Sequence, residues 1–220
     1  MDRAEWLKET RRKAEERYDK RWAPIYDANW GGPLEATHRR WMERFLELCP
    51  PGGLVLDAAC GTGRYWALIL ESGRPVYGID QSAGMLRCAK AKFPSVPVEK
   101  LGLQEMHFEP AFEAAICMDA LEMVFPEDWM RVLGNLQRAL KPGAYLYFTV
   151  EMAEESEIAQ EYASAQELGL PVVYGECTDG EGYHYYPQLE QVREWSAEAG
   201  FELVEEGFGD LYEHFLVRKG

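Results

Sequence analysis

The sequence predicts an α/β fold, a mostly parallel sheet covered by helices on both faces, and three observations predict it. From Leu54 onward, short apolar strand patterns alternate with helical ones, the signature of a parallel sheet. The first strand, at residues 54–57, passes through a glycine-bearing turn directly into a helical pattern that begins at Arg64. Near the end, two apolar runs at 201–207 and 211–218 stand close enough to pair as an antiparallel hairpin.

Taken in order, residues 3–21 have helix-forming composition with no glycine or proline. A break follows at Pro24 and at Gly31-Gly32-Pro33. A second helix is predicted over 34–49, with Trp41, Phe45 and Leu48 at spacings of four and three, and Pro50-Pro51-Gly52-Gly53 ends it. After the first strand and its helix, a second strand is expected at 75–80. The next helix begins near Ser82 and includes Met85, Leu86 and Ala89. A third strand is placed at 95–100 and a fourth at 112–118. The helix after it puts Trp129, Leu133, Leu136 and Leu140 on one face, and Lys141-Pro142-Gly143 turns into a fifth strand at 144–150. Beyond Glu151 the pattern changes to a helix at 153–168, then a glycine- and tyrosine-rich stretch at 172–187. A helix aligning Leu189, Val192 and Trp195 precedes the closing strands.

At 220 residues, with 47% hydrophobic and 28% charged side chains, the chain fits one domain with a substantial core. No run is long enough to cross a bilayer and the first residues lack an apolar signal core, so neither membrane partner nor secretion is expected. Five cysteines without regular spacing suit reduced thiols in a cytoplasmic setting. No Cys-x-x-Cys or His-Glu-x-x-His pattern supports a metal. The formal net charge of −15, without a basic patch, argues against a nucleic-acid partner and favours a neutral or cationic small substrate. Oligomeric state is left open.

The chemistry concentrates at Leu54-Val55-Leu56-Asp57-Ala58-Ala59-Cys60-Gly61-Thr62-Gly63. Gly61 and Gly63 lack a Cβ, so a ligand can approach the backbone, while Asp57 at the strand's carboxyl end suits a cationic ligand and repels a pyrophosphate. Trp66 stands where a dinucleotide fingerprint needs its third glycine, which makes an NAD(P)-dependent oxidoreductase the weaker alternative. Cys60, inside the turn, reads as a small packing residue. Asp80 ends the second strand, where an acid can accept both ribose hydroxyls. The carboxyl ends of adjacent strands face the ligand crevice, which draws in Met118, Asp119 and Glu122 after the fourth strand.

The turn resembles motif I of class I S-adenosylmethionine-dependent methyltransferases, Asp-x-Gly-x-Gly-x-Gly, matched by Asp57, Ala59, Gly61 and Gly63 with alanine at the first glycine position. That resemblance implies a Rossmann-like seven-stranded sheet with the last strand antiparallel. It implies a methyltransferase with S-adenosylmethionine as cofactor and a small-molecule acceptor methylated at oxygen or nitrogen. In this reading 1–220 is a single domain: a helical cap segment at 1–33, a cofactor-binding core at 34–151, a cap and substrate insert at 152–187 and closing core elements at 188–220. Asp80 would hold the ribose, with Gln81 and Met85 beside the adenosine. Where the family often places an acid for the adenine, this chain has Gly102, so backbone groups of Leu103 and Gln104 are left to read the adenine edge. Met118 and Tyr18 would flank the methionine half. Candidate bases, should the acceptor need one, are His184, Glu122 and Asp119, in that order. Such a domain can also bind the cofactor without turnover, as a regulatory module.

Overall fold

The structure is a computed structural model that describes residues 2–178 and 182–220; residues 179–181 of the glycine- and tyrosine-rich stretch lie outside the described residues. Seven strands form one sheet: β1 Val55–Ala58, β2 Val76–Asp80, β3 Val98–Lys100, β4 Phe112–Cys117, β5 Leu140–Glu151, β8 Phe201–Gly209 and β9 Tyr212–Lys219. Their order is β3-β2-β1-β4-β5-β9-β8. The first five run parallel, and β9 runs antiparallel to both of its neighbours, as the sequence predicts. The order reverses at β1, whose Asp57 stands level with Gly78 on β2 and Ile116 on β4. A ligand crevice belongs at that switch point, outside the carboxyl ends of β1 and β4.

Side-chain alternation along the strands builds two cores, one on each face. Leu56, Ala58, Ala115, Cys117, Leu146 and Phe148 point to one layer, which holds α1 Arg3–Arg17 through Trp6, α6 Trp129–Ala139 and α8 Leu189–Glu198. Val55, Ala114, Ile116 and Tyr147 point to the other, against α3 Ala36–Leu48, α4 Trp66–Glu71 and α5 Ala83–Lys92. A short helix, α2 Tyr26–Trp30, lies between α1 and α3 in the chain, and α7 Glu155–Glu167 follows β5. Among the described residues no helix is long and apolar enough to cross a membrane.

Four local features depart from the sequence reading. The helix predicted over 3–21 stops at Arg17 and widens into a π-turn, Tyr18–Trp22, closed by Ala23 N–H donating to Tyr18 O at 2.9 Å. Contact with α5 explains the change: Asp19 accepts from Ser82 Oγ at 2.6 Å and from Gly84 N at 2.8 Å. A Cβ on Gly84 would come within 2.8 Å of the Asp19 carbonyl oxygen, so the glycine admits this approach. Leu140 belongs to β5, not to the preceding helix; its backbone is extended (φ −81, ψ 145) and it pairs with Phe112. It is buried in either assignment, which is why periodicity alone continued the helix. The helix after β1 begins at Trp66, because 61–65 is spent on turns. Within the glycine- and tyrosine-rich stretch, β6 Glu176–Cys177 and β7 His184–Tyr185 form a small separate antiparallel pair.

Candidate active site

The turn after β1 is built from left-handed backbone. Ala59, Gly61 and Gly63 have φ of 64, 52 and 77. Glycine adopts this region freely, whereas alanine pays roughly 1–2 kcal/mol there. Two bonds to β2 fix the turn: Cys60 N donates to Ile79 O at 2.8 Å and Gly61 N to Asp80 Oδ2 at 2.8 Å. Trp66 fills the space of the missing third glycine. It is fully buried, and a Cβ on Gly63 or Gly78 would lie 2.7 or 2.5 Å from its ring. Its indole Nε1–H donates to Asp57 Oδ2 at 2.7 Å. The residue that disqualifies a dinucleotide fingerprint therefore orients the acid of the motif.

Beside this turn opens a partly enclosed cavity at the sheet's switch point, where open α/β sheets bind their ligands. Asp57, Ala59, Gly61, Asp80, Gln81, Met85, Leu103, Gln104, Met118 and Tyr18 all line it. Asp119 lines it as well. Asp80 receives Gly61 N on one oxygen and Ser82 N, at 2.7 Å, on the other, which leaves each oxygen a further lone pair. Burial pushes the Asp57 carboxyl up to about 7 and the Asp80 carboxyl up to about 6; Asp80 and Asp119 add repulsion at Asp57. Among the described lining residues Arg64 is the one basic side chain. Its Nη2 lies 2.7 Å from Glu35 Oε2 and its Nη1 3.6 Å from Asp119 Oδ2, while its buried Nε has no hydrogen-bond partner.

Asp119 leaves β4 with a left-handed backbone (φ 51) and enters a dense polar network. His38 Nε2 lies 3.3 Å from Oδ1, Tyr65 donates its hydroxyl to Oδ2 at 3.0 Å, and Thr149 Oγ1 donates to Oδ1 at 3.2 Å. Burial alone would raise this carboxyl, but His38, Tyr65 and Arg64 together hold it below its ordinary range. Against the same burial, Asp119 and Asp210 hold the His38 imidazole above its usual value. Glu122, on the turn Leu121–Met123, is 4% exposed, its Oε2 has no hydrogen-bond partner, and burial drives its carboxyl well up.

Three expected residues are not among those lining the cavity. Gly63 faces the Trp66 ring beneath the turn. Glu122 sits between lining residues Ala120 and Met123 without itself being one. His184 lies on β7, stacked on Tyr186, with Nε2 3.8 Å from Glu151 Oε2. Its tyrosine-rich strand is held by the β6 pairing, which carries the imidazole elsewhere than the lining. His214 is fully buried between Tyr147 and the Gly209 carbonyl, and burial lowers it to about 4. Tyr26 lines the cavity beside Tyr18; conversely, Thr62, Arg64 and Tyr65 line it and escaped sequence reasoning. Thr62, inside the motif, offered the available signal: its hydroxyl donates to Asp27 Oδ1 at 2.6 Å, tying α2 to the turn.

A ligand carrying positive charge fits this lining. Burial raises two carboxyls, and Arg64, the one basic side chain among the described lining residues, is bonded to Glu35 and lies near Asp119. Comparison with known proteins agrees. A methyltransferase-domain family model matches residues 55–143. A Bacillus subtilis (strain 168) protein provisionally named methyltransferase YqeM is 28% identical over 208 residues, covering 83% of this chain and 82% of its own. The malonyl-[acyl-carrier protein] O-methyltransferase of Serratia marcescens is 30% identical over 189 residues, covering 84% of this chain; the chain spans 66% of that relative. Among solved structures, magnesium protoporphyrin IX methyltransferase from Synechocystis PCC 6803, with bound S-adenosylhomocysteine, superposes with a TM-score of 0.69 at 16% identity. It covers 94% of this chain and 98% of its own, and shares the fold.

Proposed function

The chain belongs to the class I S-adenosylmethionine-dependent methyltransferases, with S-adenosylmethionine as its cofactor, and on that premise we propose that it methylates a small molecule at oxygen or nitrogen. The carrying observation is the buried Asp57–Asp80 pair, raised by desolvation. In this reading Asp80 accepts the ribose hydroxyls through its remaining lone pairs. Gln81 and Met85 flank the adenosine, and the backbone of Leu103 and Gln104 meets the adenine edge. Asp57, the backbone of Ala59 and Gly61, Met118 and Tyr18 surround the methionine half, while Gly63 serves by making room for Trp66.

The bound cofactor supplies a methyl carbon already activated by a sulfonium. What remains for this chain is alignment of the acceptor and exclusion of water. The segment 1–33 brings Tyr18 and Tyr26 onto the cavity, and it is fastened to the 152–187 segment by Arg3, whose Nη1 lies 2.9 Å from Glu176 Oε2. These two segments are the proposed cap of the single domain, over the 34–151 core, with 188–220 completing the sheet. The malonyl-[acyl-carrier protein] O-methyltransferase relative makes oxygen acceptors a natural class, and the acidic lining makes amines another. The net charge of −15 disfavours a polyanionic acceptor.

Incubation with methyl-labelled S-adenosylmethionine tests the proposal. Panels of small alcohols, phenols, carboxylates and amines are run beside transfer RNA and unfolded protein. Label is expected in a small molecule. Label that enters only RNA or protein would overturn the small-molecule reading.

A further inference from the structure

Arg64 is the lining residue to which the cofactor-binding reading gives no role. It follows directly on the glycine turn and is the one basic side chain among the described lining residues. Its Nη2 donates to both Glu35 oxygens, at 2.9 and 2.7 Å, which fixes the guanidinium from its outer side. Nη1 stands 3.6 Å from Asp119 Oδ2, beyond hydrogen-bond reach. Nε is buried and has no hydrogen-bond partner. A charged donor left buried and unmet is costly, so an acceptor oxygen brought by a ligand is its natural completion. The side chain keeps 13% of its surface exposed, and it is a wall of the cavity.

The sheet order sets which part of a ligand Arg64 meets. Asp80, Gln81, Leu103 and Gln104, assigned to the adenosine, follow from β2 and β3, on one side of β1. Arg64 lies against Asp119, which follows β4 on the other side. That side belongs to the methionine half. Asp119 Oδ2 receives the Tyr65 hydroxyl at 3.0 Å and keeps a lone pair for a second donor. A guanidinium and a carboxylate this close together match an ammonium and a carboxylate carried on one carbon. A ligand carboxylate without an ammonium beside it would meet the Asp119 charge with nothing to offset the repulsion. The pair therefore suits an α-amino acid.

We infer that Arg64 is a specificity-determining residue of the cofactor site: its free Nε–H receives the carboxylate of the S-adenosylmethionine amino-acid end, whose ammonium turns to Asp119. The inference rests on the cofactor site described above and adds to it a discrimination, the intact α-amino acid against a form that has lost its carboxylate. Glu35 acts as a positioning residue, since its two bonds to Nη2 hold the guanidinium with Nε toward the site.

The test is a calorimetric titration of the full chain with S-adenosylhomocysteine and with its decarboxylated form, which keeps the amine. The wild-type chain is expected to bind the decarboxylated form at least about 10-fold more weakly. Arg64→Gln is expected to weaken S-adenosylhomocysteine by about 10- to 150-fold and the decarboxylated form by less than about threefold. A residue that only props the fold would weaken both ligands alike, and that equal loss would overturn the inference. So would a wild-type chain that binds the two equally. Unchanged S-adenosylhomocysteine affinity in Arg64→Gln, with turnover lost for carboxylate acceptors alone, would hand the subsite to the acceptor and overturn it as well. Should the glutamine variant fail to fold, Arg64→Lys decides, because lysine keeps the charge and lacks the Nε fork. It must narrow the preference for the carboxylate-bearing ligand by at least about threefold, and an unchanged preference overturns the inference. Binding of both ligands without discrimination leaves the methyltransferase reading intact; failure of the wild-type chain to bind either one defeats that reading instead.

Discussion

At the scale of single residues, the motif acids carry opposite demands for stability and binding. The folded Asp57 carboxyl stands at about 7 against an ordinary 3.8, because it is buried beside Asp80 and Asp119. An acid raised on folding contributes no penalty below pH 4 and loses stability as pH rises from 4 through 7, where the unfolded chain ionises first. Asp57→Asn keeps an acceptor for the Trp66 indole and removes that penalty. It should stabilise the unliganded protein by roughly 1–3 kcal/mol at pH 8 and by little at pH 4.5, measured by denaturant unfolding, while weakening S-adenosylmethionine binding. Equal effects at the two pH values would remove Asp57 from this account. Ala59 makes the complementary case. Its substitution into the glycine motif reads in sequence as one added methyl; the structure shows that the penalty is conformational, at φ 64. Ala59→Gly relieves about 1–2 kcal/mol of left-handed strain and adds about 0.5–1 kcal/mol of backbone entropy. A gain of up to about 1.5 kcal/mol, or roughly 3–6 °C in melting temperature, is expected.

At the scale of elements, α1 is held by Trp6 in the core and by ion pairs, of which the one made by Arg3 reaches a fully buried acid. Arg3 donates to both oxygens of Glu176, each at 2.9 Å, and to the Pro171 carbonyl at 2.6 Å, and it also pairs with Glu127. Glu176 is fully buried and also receives the Tyr183 hydroxyl at 2.7 Å. Arg3→Ala leaves that carboxylate its Tyr183 and Val173 donors but no counter-charge, and is expected to cost about 2–3 kcal/mol, below the usual figure for breaking a buried pair because Arg3 is partly exposed. Hydrogen exchange should then quicken across α1, with a raised KM for S-adenosylmethionine; unchanged exchange would show that α1 is anchored elsewhere. The elements themselves were largely legible, since β1, β2, β4, β5 and β9 are dense apolar runs and α6 has a continuous buried stripe. Illegible were features set by partners far along the chain. The π-turn at 18–22 depends on Asp19 reaching Ser82 and Gly84, and the helix end before Leu140 depends on Lys219 donating to Gln137 O and Leu140 O. The site divides the same way. Asp57, Gly61 and Asp80 stand at strand ends whose position follows from local pattern. Arg64 and Tyr65 reach the cavity only through tertiary packing, and His184 is drawn to the β6–β7 pair.

For the whole molecule, the topology and the charge distribution converge on one place. The sheet reverses at β1, and the crevice there gathers Asp57, Asp80 and Asp119 with the one guanidinium of Arg64, in a chain of net charge −15. A cofactor bearing a sulfonium is bound by such a cleft while its carboxyls are ionised, so affinity should fall as pH drops through about 7 and about 6, where Asp57 and Asp80 take up protons. The measurement that tests this most directly is a calorimetric titration of S-adenosylmethionine into the wild-type protein and into Asp80→Ala at pH 7.5, with Asp80→Asn as a control of matched shape. Loss of charge-assisted hydrogen bonds worth about 1.5–3 kcal/mol predicts an affinity about 10- to 150-fold weaker for the alanine variant, with thermal unfolding still cooperative. An alanine variant that binds S-adenosylmethionine as tightly as wild type would contradict it.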